Sequence, residues 1–368
     1  MRKHLLTIAF FLLLAAGFLG TCLNLGATFS PAERRVLRAF PKAQSLSLAH
    51  WTWDDDMEEY LSDHLVLRDA LTGISAYMRL LAGTERFSDI YVTRAGQLVE
   101  SPVPATEENL TSLAKNLRHL DELAAREGKG LFLLVPPSAG YAARENLPGY
   151  LAPLYADDEL LRQADACAHL RPVDLIPALT EGQGARFYRT DNHWNADGAY
   201  AAYAAFLQAK GLAPATPEEI RYETYDDFHG STLSRSALWL TPHEPIRYPL
   251  PPCDYEVEID GGAPAQDLYH REALTSYDPY DLFFGGNFGR VKLTNRSGGE
   301  GSLLLIKDSF ANALVPLLLP HYRTILMIDP RFFRGDVHAL IQQENIEEMA
   351  CVCSLKTLAT DAKLLLLR

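Results

Sequence analysis

The sequence predicts an α/β fold, a three-layer α/β/α sandwich around a mainly parallel sheet. The apolar run LFLLV at 131–135 has no polar alternation and is typical of a strand buried on both faces, and LLLI at 303–306 predicts a second strand. The second run belongs to the segment GSLLLIKDSFANALVPLLLPHYRTILMIDPRFF, residues 301–333, which has the strand, turn, helix and strand order of a parallel βαβ unit. Because strands and helices alternate repeatedly, we expect helices on both faces of one sheet.

Helical patterns flank these strands. Residues 106–128 form the clearest helix, with Thr106 placed to cap it and Gly128 placed to end it. Its apolar stripe consists of Leu110, Leu113, Leu117 and Leu120. A second helix is expected from about Ala196 to Gly211.

The segment 213–300 has a different composition. It is rich in Pro, Tyr, Asp and Gly, and it contains short alternating pieces such as YEVEI and RVKL. We expect an irregular, partly β insertion within the α/β domain rather than a separate domain.

The N-terminal segment has the pattern of a membrane span. Arg2 and Lys3 precede an almost entirely apolar stretch, residues 5–25, which is long enough to cross a bilayer as a helix. A cleaved signal peptide has a similar pattern, and we favour an uncleaved anchor. Positive charges before the span orient the remainder outside the cytoplasm. We therefore expect a signal peptide or N-terminal membrane anchor at 1–27 and one α/β domain at 28–368.

Composition excludes several classes of protein. With 48% hydrophobic and 22% charged residues, the chain is neither disordered nor collagenous. The formal net charge of −13 argues against a nucleic-acid partner, which would require a basic surface. Five cysteines in 368 residues are too few for a disulfide scaffold.

The segment YRTDNHWNADGAY, residues 188–200, holds the first candidate site. In an extended segment Asp191 and His193 project to the same side, where they can act as an acid and a base. The same spacing suits metal ligands, but His229 and His243 belong to neither an HxxxH nor an HExxH pattern. A structural turn before the next helix is the third interpretation. We expect no metal and no other cofactor.

The second candidate site is the turn KDSFA, residues 307–311, between a strand and a helix. Ligands of open α/β sheets bind at the carboxyl ends of the strands, which is where Ser309 would lie. Free backbone N–H groups at the start of a helix suit a serine nucleophile, because they can stabilise an oxyanion. Asp308 or Ser309 could equally do no more than cap the helix.

Taken together, these stretches resemble the bacterial exported proteins called DHHW proteins, which are similar to the SGNH-hydrolase-like proteins of alginate O-acetylation. The resemblance covers nearly everything after the N-terminal segment and lies in the order and spacing of its parts. They are YRTDNHWNADGAYAAY, FHGSTLSRS, FFGGN and LLLIKDSFANALVPLLLPHYRTILMIDPRFF.

The resemblance implies an SGNH-hydrolase-like fold and a catalytic triad. Asp191 would orient the base, His193 would be the base, and Ser309 would be the nucleophile. One position departs from the family pattern, because Asn192 stands where the family's first motif histidine is found. The implied triad survives this change, whereas any role of a second histidine is lost.

Four further residues are candidates for binding. The N–H of Phe310 follows the nucleophile and would be an oxyanion donor, and the Asn287 side chain in FFGGN would be a second, although GGN also suits a plain turn. Arg331 could bind an anionic or carbonyl group or pair with Asp329. Trp194 could stack on a sugar ring or lie in the core.

We therefore expect an exported O-acyltransferase or esterase of the cell envelope that acts on a polysaccharide through an acyl-enzyme. A transferase would also need an acyl donor, supplied through a multi-spanning membrane protein, as the alginate systems imply. The sequence does not separate transfer from hydrolysis. The alternative is a non-catalytic carbohydrate-binding or assembly protein that retains the fold.

Overall fold

The computed structural model describes residues 2–41, 53–182 and 184–367. Its helices, α1 to α12 in chain order, are Arg2–Asn24, Trp53–His64, Arg68–Leu81, Glu107–Arg126, Ala139–Ala142, Asp157–Leu161, Ile176–Thr180, Ala196–Ala209, Ser231–Ser236, Ala311–Leu318, Val337–Gln343 and Leu355–Thr360. Its strands, β1 to β14, are Phe29–Ser30, Arg35–Val36, Arg86–Phe87, Ile90–Val92, Leu98–Glu100, Leu131–Leu134, Leu170–Val173, Arg221–Phe228, Glu244–Leu250, Tyr255–Ile259, Arg290–Asn295, Ser302–Lys307, Thr324–Ile328 and Glu348–Val352.

The chain forms two compact units. The first comprises Met1–Asp89 and Leu233–Thr241, and the second comprises Ile90–Thr232 and Pro242–Arg368. The first unit contains α1 to α3 and the short antiparallel pair β1–β2. The expected division at residue 27 stays a prediction.

The second unit is built on a twisted sheet of seven described strands in the order β10-β11-β13-β12-β14-β6-β7. The five strands from β13 to β7 pair in parallel, while β10 and β11 extend the edge in antiparallel fashion. The predicted α/β fold with a mainly parallel sheet is therefore confirmed.

Alternation along the central strands creates two separate cores. In β12, Leu303 and Leu305 face a core that also holds side chains of α8 and α10. Leu304 and Ile306 face the opposite core, which includes side chains of α4, α11 and α12. Because both faces of the strand are covered, the sequence reads as an uninterrupted apolar run. The three layers of the predicted sandwich follow from this arrangement.

The two predicted helices are present. In α4, the Thr106 side chain accepts a hydrogen bond from the Asn109 N–H at 3.2 Å, and Gly128 just beyond the helix adopts a positive φ of 63°. In α8, the Asn195 side chain accepts hydrogen bonds from the N–H groups of Asp197 and Gly198 at 3.0 Å. This cap fixes the chain directly after the DNHW segment.

The segment 213–300 contains both irregular structure and strands. β8 and β9 form a separate antiparallel pair, whereas β10 and β11 join the central sheet. The segment thus contributes two strands to the main sheet as well as the loops that approach the candidate site.

Candidate active site

The turn after β12 carries Ser309 at the carboxyl edge of the central sheet. Asp308 fixes this turn, because its Oδ1 accepts the Phe310 N–H at 3.0 Å. Its Oδ2 accepts the Ser354 N–H at 2.7 Å and the Thr357 hydroxyl at 2.8 Å. Asp308 therefore ties the turn to the start of α12, and Ser309 is left half-buried at the surface.

The Asp–His segment is a compact loop that ends in the cap of α8. The Tyr188 N–H donates to the His193 carbonyl at 3.1 Å, which closes the loop across its base. Inside it, Asp191 Oδ1 accepts the His193 backbone N–H at 2.9 Å. This turn brings the side chains of Asp191 and His193 next to each other.

Three predicted residues come together between these segments. His193 Nδ1 lies 2.5 Å from Asp191 Oδ1, and His193 Nε2 lies 2.7 Å from Ser309 Oγ. With Nδ1 protonated, Nε2 is an acceptor facing the serine hydroxyl. The result is an acid–imidazole–hydroxyl chain with the connectivity of a nucleophilic triad. Ser309 does not cap α10, whose first turn has no side-chain cap.

The Asp191 carboxylate is a buried anion with several donors. Besides the two His193 groups, the Ser231 N–H donates to its Oδ2 at 2.6 Å. Burial opposes ionisation, but the attraction and hydrogen bond of His193 and the two backbone N–H groups outweigh it and hold the Asp191 pKa well below its usual range. Asp191 therefore remains charged at neutral pH.

Two aromatic rings confine the imidazole. Tyr280 stacks on the His193 ring with 3.9 Å between centroids and an interplanar angle of 6°, and Phe310 lies at 4.9 Å. The Tyr280 hydroxyl donates to the Ser309 carbonyl at 3.4 Å. Burial raises the Tyr280 pKa well above its usual value, so the phenol stays a neutral donor. Sequence reasoning missed Tyr280, which lies in an irregular part of 213–300.

Two expected binding groups are engaged elsewhere. The Phe310 N–H is not a free oxyanion donor, because the Asp308 carboxylate accepts it. Trp194 is fully buried and packs edge-to-face on Phe310 with centroids 5.2 Å apart, so it cannot stack on a sugar in this conformation. Of its two expected roles, the structure therefore favours the core one.

Arg331 forms the expected pair with Asp329. Its Nε donates to Asp329 Oδ1 at 2.9 Å and its Nη2 donates to Oδ2 at 2.6 Å, a two-pronged arrangement. Although burial opposes the charge, Asp329 raises the Arg331 pKa. Arg331 also lines the cavity next to Ser309.

A buried lysine, also missed by sequence reasoning, holds Asn287. Lys307 is only 2% exposed, and its Nζ donates to Asn287 Oδ1 at 2.8 Å and to Asn312 Oδ1 at 3.0 Å. Asp329 Oδ2 lies 3.5 Å from the same ammonium group. Burial lowers the Lys307 pKa to about 8, and the nearby Asp329 opposes this shift. Lys307 thereby fixes the Asn287 side-chain carbonyl oxygen as an acceptor.

A cavity of about 280 Å³ opens beside the nucleophile. Its polar lining includes Ser309, Asn192 and Arg331 together with hydroxyl and charged side chains of neighbouring elements: Ser101, Ser138, Ser354, Thr357, Thr360, Glu100, Lys356 and Asp361. Among the described residues, no group of three or more His, Cys, Asp or Glu side chains is arranged to hold a metal ion. The lining also includes apolar residues such as Val103, Pro136 and Leu355, so the cavity offers both polar and apolar contacts.

Comparison with known proteins confirms the predicted resemblance. Residues 97–237 match the family model of an "SGNH hydrolase-like domain, acetyltransferase AlgX", and residues 180–328 match the model of "DHHW protein". Both matches include the Asp–His segment. No curated protein matches the chain.

Solved structures show the same fold. A DHHW family protein from Eubacterium siraeum is 22% identical, with a TM-score of 0.61, over 73% of this chain and 91% of its own. Bacillus cereus PatB1, solved with a sulfonyl adduct, is 21% identical, with a TM-score of 0.62, over 76% of this chain and 97% of its own. The SGNH-hydrolase-like fold predicted from the sequence is thus confirmed.

Substituting Gly230 should disturb the Asp191 carboxylate. A Cβ at Gly230 would lie 2.2 Å from Asp191 Cβ and 2.5 Å from its Oδ2. We expect Gly230→Ala to lower the free energy of unfolding by about 1–3 kcal/mol through overpacking. Gly149→Ala is the matched control, because nothing lies within 4 Å of its added Cβ. Equal effects of the two changes in urea unfolding would contradict this packing.

The depressed Asp191 pKa predicts a specific pH dependence of stability. Its stabilisation is fully present above the unfolded-state pKa of about 4 and is lost as pH falls through the lower folded pKa. The stability lost in Asp191→Asn should therefore be largest near neutral pH and shrink below about pH 4. Thermal unfolding of the wild type and of Asp191→Asn between acidic and neutral pH measures this difference in stability, and the substitution of an exposed residue, Asp226→Asn, is the control. A difference that stays constant with pH would show that Asp191 is not held as a charged group.

Proposed function

We propose that this SGNH-hydrolase-like, DHHW-like chain is an exported serine O-acyltransferase or esterase that acts on a polysaccharide of the bacterial cell envelope. The observation that carries the proposal is the position of His193, with Asp191 at 2.5 Å on one nitrogen and Ser309 at 2.7 Å on the other. The match of residues 97–237 to an acetyltransferase domain supports transfer of an acetyl group.

The reaction proceeds in two half-reactions. His193 Nε2 takes the Ser309 proton while Oγ attacks the carbonyl carbon of the acyl donor. The tetrahedral intermediate collapses, the donor's C–O bond breaks, and the leaving oxygen takes the proton from His193. The products are an acyl ester on Ser309 and the released donor alcohol.

The second half-reaction decides between transfer and hydrolysis. His193 removes a proton from an acceptor hydroxyl, whose oxygen attacks the acyl carbonyl carbon. The bond between that carbon and Ser309 Oγ then breaks, and His193 returns the proton to Oγ. A sugar hydroxyl yields an O-acylated glycan, whereas water yields a free acid. Exclusion of water from the 280 Å³ cavity by a bound glycan would favour transfer.

Asp191 and Tyr280 support the base in different ways. The Asp191 carboxylate accepts Nδ1–H, fixes the tautomer with a free Nε2, and stabilises the imidazolium that forms during attack. Tyr280 stacks on the ring at 3.9 Å and prevents it from turning away from Ser309. Tyr280 is thus a positioning residue.

We assign the oxyanion donors to the Ser309 N–H and the Asn287 side-chain NH₂. Neither donates a hydrogen bond elsewhere in the described part of the chain. The Asn287 carbonyl oxygen is already engaged by Lys307 and by Asn312 Nδ2 at 3.4 Å, so its amide presents donors only. Such fixed donors stabilise developing negative charge without reorganisation.

The cavity lining supports a glycan as one of the two substrates. The residues that line the cavity together with the nucleophile include Ser101, Asn192 and Thr360, which carry hydroxyl or amide groups. Hydroxyl groups both donate and accept, which suits the many hydroxyls of a sugar. Arg331 would contribute a cation toward a carboxylated sugar or the acyl carbonyl.

We further infer that α1 anchors the enzyme in the membrane. The helix His4–Asn24 is long and apolar enough to cross a bilayer, and the part that carries the apolar window is not buried within the protein. Arg2 and Lys3 before it orient the remainder to the extracytoplasmic side. There an acyl donor could be presented by a multi-spanning membrane protein.

Replacing Ser309 separates an enzyme from a binding protein. Ser309→Ala should lower hydrolysis of 4-nitrophenyl acetate by at least about 10³-fold, because the nucleophile is gone, and it should leave folding intact. Ser354→Ala is the matched control in the same cavity, since the Ser354 hydroxyl caps α12 by accepting the Thr357 N–H at 3.2 Å. That variant should lose about 1 kcal/mol of stability and retain activity.

Activity and thermal melting of the three proteins are measured together. Wild-type turnover that persists in Ser309→Ala would rule out the triad. Loss of activity in both variants to the same degree would assign Ser309 only a structural role.

A further inference from the structure

The helix α3 presents an apolar face outward from its own unit. Leu67, directly before the helix, and four large side chains on it are between 52% and 88% exposed, and they follow one another at intervals of four, three, four and three residues. They form the apolar stripe of Leu67, Leu71, Ile74, Met78 and Leu81. The four members on α3 lie on one side of the helix along about 15 Å, and Leu67 comes immediately before its first residue.

The opposite side of α3 packs inside the first unit. Gly73 and Ala76 are buried, and a Cβ at Gly73 would lie 3.2 Å from the Trp239 ring. The stripe is therefore turned away from the core that α3 helps to form. Exposed apolar patches of this size in a folded protein mark a surface that another phase or molecule covers.

Contacts with α1 fix the depth at which the stripe begins. The Val66 N–H donates to Thr21 Oγ1 at 3.2 Å, and Val66 packs so closely on Gly20 that a Cβ there would lie 2.9 Å from it. Asn24 Nδ2 also donates to the His64 carbonyl at 3.1 Å. Gly20 and Thr21 belong to the apolar span His4–Asn24, so Val66 lies about 5 Å inside the end of that span.

We propose that the apolar stripe lies in the boundary between the lipid headgroups and acyl chains of the bilayer that α1 crosses. The inference rests on the proposed role of α1 as the membrane anchor. Leu67, the first stripe residue, directly follows Val66 and thus begins at the depth of the interface. A helix that turns one apolar side outward while its other side packs on its own unit can lie in this plane.

The bilayer is favoured over a second copy of the chain for two reasons. The stripe spans only two heptads, which is short for a coiled coil in water. The segment just before the stripe is also hydrogen-bonded to the anchor. The stripe would therefore lie close to lipid at any protein concentration, whereas pairing with a second copy would depend on concentration. The anchor and stripe together would hold the first unit at the membrane surface.

The test uses the full chain in vesicles of phosphatidylcholine and phosphatidylglycerol that contain nitroxide-labelled lipid. Cys22, Cys167 and Cys253 are replaced by serine, which leaves the two buried cysteines Cys351 and Cys353. Single cysteines carrying the environment-sensitive fluorophore NBD are then placed at Met78 in the stripe, at its neighbour Arg79 on another side of α3, and at Leu13 in the anchor.

We expect quenching by labelled lipid at Leu13 and at Met78, with at least about twofold less at Arg79. Quenching at Leu13 with equal, weak signals at Met78 and Arg79 would overturn the inference and leave the anchor in place. No quenching at Leu13 would overturn the anchor and the inference with it. Shielding of Met78 from aqueous iodide without lipid quenching would indicate a protein partner and also overturn the inference.

Discussion

The candidate site depends on one buried charge, the Asp191 carboxylate. It accepts hydrogen bonds from the backbone N–H groups of His193 and Ser231 and from the imidazole Nδ1–H. An uncompensated carboxylate at this depth would be costly, so these donors stabilise it and also define where the loop and the imidazole can lie. Gly230 is required beside it because a side chain there would occupy the space of the carboxylate.

The same principle links the nucleophile to the sheet. Asp308, a second buried carboxylate, binds the turn that carries Ser309 to the N-terminus of α12. One anion thus positions the base and another positions the nucleophile. Because β12 lies in the middle of the sheet, with β13 and β14 on either side, the turn that carries Asp308 and Ser309 leaves the centre of the sheet.

The sequence predicts those features that depend on residues close together in the chain. Apolar runs predicted β6 and β12, and the family resemblance together with the DNHW and KDSF segments identified Asp191, His193 and Ser309. Asn195 and Thr106 cap helices that begin at the next residue, so the N-termini of these helices can also be predicted from the sequence. Residues whose role depends on distant partners were not predicted. Tyr280 stacks on His193, 87 positions away in the chain, and Lys307 donates a hydrogen bond to Asn287, 20 positions away. The expected Phe310 donor failed because Asp308, only two residues away, takes its N–H.

Catalysis at this site requires that Ser309 be activated by His193 rather than merely exposed beside it. The most direct measurement is the rate at which phenylmethylsulfonyl fluoride modifies Ser309, followed by peptide mass spectrometry in the wild type and in His193→Ala. Ser354, in the same cavity, provides an internal reference. We predict modification of Ser309 alone in the wild type and a loss of that modification of at least about 10²-fold in His193→Ala. Equal rates in the two proteins, or modification of Ser354 as fast as of Ser309, would contradict the account.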